Sequence, residues 1–75
     1  MNPDDIRSLL NASPFDPFTI HTADGASLAV PHPDFAWLLP SGTSLYVNTG
    51  GNMVQRVALS LITRIESKEP AESAG

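Results

Sequence analysis

The segment Phe18-Thr19-Ile20-His21-Thr22 alternates apolar and polar side chains, runs into Asp24-Gly25, and is followed by Ser27-Leu28-Ala29-Val30. Alternation with a period of two marks a strand buried on one face. An Asp-Gly pair between two such runs is a strong hairpin signal, because tight hairpin turns need left-handed backbone that glycine adopts freely. Asp24 and Gly25 are therefore the structural turn of a β-hairpin. Pro31 and Pro33 close the second strand, since proline has no N–H to add to a ladder.

The flanking segments are equally short. Asn2 precedes Pro3, Asp4 and Asp5, which reads as a helix start: a capping side chain, a proline suited to the first turn, and carboxylates at the positive end of the helix dipole. Ile6, Leu9 and Leu10 share one face of that helix, and Asn11 to Pro14 ends it. Two turns are too few to stand alone, so the apolar face must pack on something. Pro14-Phe15-Asp16-Pro17-Phe18 forms a stiff connector. Residues 33–39 predict a short helix or 3₁₀ turn with Phe35, Leu38 and Leu39 on one side. Beyond the turn at Pro40-Ser41-Gly42-Thr43, Ser44–Asn48 is the third strand. Asn48 to Asn52 is a hairpin loop, and Met53–Leu59 and Ile62–Ser67 are strands four and five around a tight link at Ser60-Leu61.

A short helix followed by five antiparallel strands is the order of a small, strongly bent barrel, mostly β in class. A Src-homology-3-type barrel and its Sm-type relative, with the helix capping one end, both fit. Residues 1–67 form this domain. Residues 68–75, without apolar anchors, are expected to be a disordered tail.

A chain of 75 residues buries a small share of its surface. Domains of this size lean on disulfides, metals or self-association, and the absence of cysteine removes the first and all thiolate metal sites. Self-association is the support that remains to be expected. The net charge is −4, and the body up to Ile65 sets five aspartates against three arginines. That is a poor supply of cations for a phosphate-binding surface, although a ring of subunits could concentrate one arginine from each. No apolar run is long enough for a membrane span, and the acidic start lacks the pattern of a secretory signal. A cytoplasmic location is the default expectation.

The stretch Pro-Phe-Thr-Ile-His-Thr-Ala-Asp-Gly-Ala-Ser-Leu over 17–28 resembles the first two strands of the bacterial Sm-like Hfq family. Gln55-Arg56-Val57-Ala58-Leu59-Ser60-Leu61-Ile62 is similar to that family's Tyr-Lys-His-Ala-Ile-Ser-Thr-Ile signature, with Arg56 on the lysine and Ala58, Ser60 and Ile62 identical. The resemblance implies a non-catalytic ring, paired through edge strands, that binds single-stranded RNA. Arg56 and Gln55 would line its pore, and His21 would occupy an aromatic position on an adenine-stacking face. Gln55 and Val57 replace the family's tyrosine and histidine, so Arg56 alone would carry phosphate. Ser27 and Ala29 lack the longer polar side chains of the stacking face, and Asn11-Ala12-Ser13 replaces a basic run. A second likeness, through Pro-Phe-x-Pro-Phe, Asp-Gly and His-Pro-Asp-Phe, is to short uncharacterised bacterial proteins and implies no activity.

The remaining candidates for chemistry are few. His21 and His32, the only histidines, have no partner at metal-ligand spacing, so no metal or cofactor is expected. His21 reads as an exposed sheet residue and His32 as a loop residue. No nucleophile-elbow motif accompanies the serines, and Gly50-Gly51 lacks the lysine of a phosphate loop, so no catalytic residue is assigned. Phe35 and Trp37 either plug the barrel or form a patch for a protein partner. The competing function is accordingly a protein-interaction module or structural subunit with no nucleic-acid role.

Overall fold

Asn2 caps the N-terminal helix α1 (Pro3–Leu10) through its side-chain oxygen, which accepts the Asp4 N–H at 2.9 Å. This computed structural model describes residues 1–67; the expected tail lies outside the described residues. Asp4 and Asp5 occupy the first turn, Arg7 pairs with Asp4 at 2.8 Å, and the Asn11 N–H closes the helix on the Arg7 carbonyl. Ile6 is fully buried, and Leu9 and Leu10 pack half-buried against the same core. The helix is held by docking this face. Its start rests on the loop before Ser44: Gly42 has φ +74°, and a Cβ there would lie 3.2 Å from the Pro3 ring carbons.

Strand β1 (Phe18–Thr22) is central to one antiparallel sheet, between β2 (Ser27–Val30) and β6 (Ile62–Ser67). Phe18 stands opposite Val30, and Ile20 opposite both Leu28 and Ile65. Every one of those side chains faces inward, as the alternation predicts. The β1–β2 loop is Ala23–Gly25. Thr22 N–H bonds the Ala26 carbonyl and Gly25 N–H the Thr22 carbonyl, each at 3.0 Å, with Gly25 at φ +89°. A three-residue loop ending in a left-handed glycine is a common hairpin form.

The second sheet orders β3 (Ala36–Leu38), β4 (Ser44–Gly50) and β5 (Met53–Ala58), again antiparallel with the middle strand central. Leu45 and Val47 of β4, and Val57 of β5, face the first sheet. Asn48 shapes the β4–β5 turn by accepting the Gly50 N–H at 2.8 Å. A 3₁₀ turn, Leu59–Leu61, leads directly from β5 into β6. Leu59, its first residue, and Ile62, just after it, are buried. Burial of each such aliphatic side chain contributes roughly 1.5–3 kcal/mol, and the core draws them from both sheets and the helix.

Two expectations change. Of residues 33–39 just Pro33–Phe35 is 3₁₀; Ala36–Leu38 is a strand paired to β4, not the continuation of a helical turn. Extended pairing buries Ala36 and half-buries Leu38 while sending Trp37 outward. The described residues therefore hold six strands in two sheets of three rather than five, and their backbone pairings do not close them into one barrel.

Candidate functional site

His21 sits mid-sheet, opposite Ser27 on β2 and Arg64 on β6. Its Nε2 lies 2.8 Å from Glu66 Oε1 and its Nδ1 3.1 Å from Ser27 Oγ. A tautomer donating from Nε2 to the carboxylate leaves Nδ1 to accept the serine hydroxyl. Thr63 adds a bond from its hydroxyl to the His21 carbonyl at 3.1 Å. Rather than an exposed residue, the imidazole is 20% exposed and clipped between the strands flanking it. So little free surface leaves it poorly placed to stack a base. Neither Ser27 nor Glu66 carries a spacing that sequence reasoning could have used, because the cluster exists only through the register of three strands.

Gln55 and Arg56 are both exposed on β5. They border a small cleft completed by Thr22, Asp24, Leu28 and Leu61. Arg56 stands opposite Tyr46, with its Nε 3.5 Å from Ser44 Oγ. Across the cleft, the Thr22 hydroxyl and then the Ala26 N–H bond the Asp24 carboxylate and hold its pKa below the ordinary value of 3.8. Asp24 is thus an anion at neutral pH, and the cleft carries one charge of each sign. Gln55 and Arg56 are brought together with the Asp24 turn, whereas His21 lies outside that cleft.

Phe35 and Trp37 part company. Phe35 packs against the core, its ring 5.8 Å from that of His32. Trp37 is 48% exposed on the outer face, which removes it as a plug. Strand register aligns it with Tyr46 and then Arg56, one residue from each strand of the sheet. Tyr46 is 38% exposed, and neighbouring Val54 on β5 is exposed as well. Between Asp34 and Glu66 the chain holds no carboxylate, and Arg56 and Arg64 are the only charged side chains there. In a protein of net charge −4, the three strands of this sheet carry no acid and a single cation, in register with two aromatic residues and sharing its cleft with Asp24. Sequence reading found Trp37 and Arg56 separately; their alignment comes from the β3–β4–β5 register.

Among the described residues no cluster of histidine, cysteine and carboxylates is placed to hold a metal ion, and no helix is long and apolar enough to cross a membrane. No protein-family model, curated protein or solved structure matches the chain.

Proposed function

We propose that the chain is a non-catalytic, Sm-like binding module that works as a homo-oligomer assembled through its sheet edges. The observation that supports this most is the open side of β5 and of β6. Among the described residues each is bonded on one side only, to β4 and to β1, and the two are consecutive in sequence across a three-residue turn. Unpaired edges are templates for another strand. Met53, Val54 and Leu61, on and beside these edges, are large and exposed, at 66%, 49% and 51%. Joining β5 of one copy to β6 of the next would satisfy both edges and cover apolar surface that a core this small leaves outside.

Single-stranded RNA is the second reading, favoured by Arg56, which is exposed and has no carboxylate partner among the described residues. A ring would gather one such arginine from every subunit. The charged Asp24 on the same cleft works against phosphate there.

Native mass spectrometry at micromolar concentration tests the assembly: a hexamer or heptamer supports it, and a clean monomer removes it. RNA is tested separately with oligouridine and oligoadenine at low salt, wild type against Arg56→Ala. Absence of binding to both oligonucleotides discards the RNA reading and leaves the assembly untouched.

A further inference from the structure

We infer that Ser27 is a site of covalent acylation, its hydroxyl activated by His21 and taking a short acyl group from an activated ester or thioester. The inference goes beyond the binding reading and does not depend on it. A chain acylated once is an acceptor rather than a catalyst, in a monomer or an oligomer.

Three side chains form one hydrogen-bonded series. Ser27 Oγ lies 3.1 Å from His21 Nδ1, and His21 Nε2 lies 2.8 Å from Glu66 Oε1. A hydroxyl within reach of a base that a third group orients is the arrangement that makes a serine nucleophilic. Glu66 favours the tautomer with its proton on Nε2, which presents the Nδ1 lone pair to Ser27. The strand ladder brings the pair together. Thr22 N–H bonds the Ala26 carbonyl, and hydrogen-bonded pairs alternate along an antiparallel ladder. His21 and Ser27, opposite each other in the next position, are therefore a pair without backbone bonds, whose side chains approach most closely. The same parity turns the Ser27 N–H away from β1, toward the open edge of β2. There it is a donor for the oxygen of an attacked carbonyl.

Ser27 also borders a pocket of about 220 Å³ between β2 and the end of β4, where Leu28, Pro31 and Phe35 supply apolar wall. That is smaller than the roughly 300–1,000 Å³ of sites for drug-sized ligands, so it suits a short acyl chain. In the step, Ser27 Oγ bonds the acyl carbon while its proton passes to His21 Nδ1. The tetrahedral adduct then expels a phenolate or thiolate, which takes that proton from His21. Ser27 is exposed, and a single N–H in contact with water stabilises an oxyanion weakly. A phenolate or thiolate departs with little help, whereas the serine alkoxide of the product does not. Acylation therefore outruns hydrolysis, and the acyl group stays.

The probe is p-nitrophenyl acetate, in excess over the full chain at neutral pH. Released nitrophenol is followed in time, and the acyl group is located by mass spectrometry of proteolytic fragments. Nitrophenol should appear in a burst of about one equivalent per chain and then slowly, with the acetyl group on Ser27. Ser27→Ala should remove the burst. His21→Gln should slow it about 100-fold, the low end of general-base contributions, while His32→Gln should leave it unchanged. Glu66 is a positioning residue: Glu66→Gln should lower the limiting rate several-fold without raising the half-saturating ester concentration. Circular dichroism of each variant should match wild type, which separates lost reactivity from lost folding. Acetyl on Lys68, the terminal amine or a histidine with Ser27 unmodified would overturn the inference, as would a burst that survives in Ser27→Ala. Steady release at the burst rate would also overturn it, making the chain an esterase instead of an acceptor.

Discussion

Glu66 and His21 lie 45 positions apart in the chain and 2.8 Å apart in the structure, carboxylate oxygen to Nε2. The contact fastens the last strand to the first. Glu66 is 65% exposed, and contacts open to solvent contribute little, commonly about 0.2–1 kcal/mol. Glu66→Ala should therefore lower unfolding stability by about 0.5 kcal/mol. A denaturant-melt cycle pairing it with His21→Ala should show positive coupling, because the two side chains share one contact. Strict additivity would remove the clip as an energetic feature.

Acid should weaken the fold partly through Asp24. Its folded-state pKa is depressed below 3.8 by the Thr22 hydroxyl and the Ala26 N–H, so folding favours the charged form. That stabilisation is complete above 3.8 and is lost as the pH falls through the lower folded value. Asp24→Asn keeps an acceptor oxygen and removes the titration. Its melting temperature should lie below that of wild type at about pH 6, and the gap should narrow as the pH falls below 3.8. A constant gap across that range would show that Asp24 does not contribute through ionisation.

The two loop glycines should respond unequally to alanine. At Gly25, φ +89°, a Cβ would project into open space with nothing within 4 Å, whereas at Gly42, φ +74°, it would meet Pro3 at 3.2 Å. Left-handed backbone alone costs an alanine roughly 1–2 kcal/mol. Gly42→Ala should exceed Gly25→Ala, because it also presses on the first turn of α1. Thermal melts of both variants compare them directly, and the reverse order would contradict the packing of Pro3 on this loop.

Ile6 and Trp37 contrast a buried with an exposed large side chain. Ile6 is fully buried beneath α1, so Ile6→Ala should cost about 2–4 kcal/mol, a large part of what a domain this small has. Trp37→Ala, at an exposed site, should change stability by less than about 0.5 kcal/mol. Urea unfolding reads both. A loss in Trp37→Ala as large as that in Ile6→Ala would place the indole in the core after all.

What the chain declares without its structure is local. Asn2, Pro3 and the two aspartates mark the helix start by side-chain chemistry within one turn, and alternation from Phe18 to Val30 marks the first hairpin. Ala36–Leu38 escaped because three residues give period two no room to declare itself, and Phe35, Leu38 and Leu39 equally satisfy a helical spacing. Both side-chain arrangements on the sheet faces, Glu66–His21–Ser27 and Trp37–Tyr46–Arg56, depend on strand register. Each residue type was visible, but register is set by long-range pairing, so their juxtaposition was not. Gln55 and Arg56 were legible as neighbours on one strand; the opposing Asp24 was legible only as a turn.

The direct passage from β5 to β6 through Leu59–Leu61 has a bearing on how growth of the proposed assembly would end. The two edges to be joined belong to different strands, so a β5-to-β6 junction is head-to-tail rather than self-complementary. A pair of copies joined this way still offers one vacant β5 and one vacant β6, as does a trimer or any longer row. Only circular closure leaves neither unmet, and a rotation per junction that misses closure produces a filament. The angle between the two sheets, more than the strength of either edge, then decides between a finite particle and a fibre.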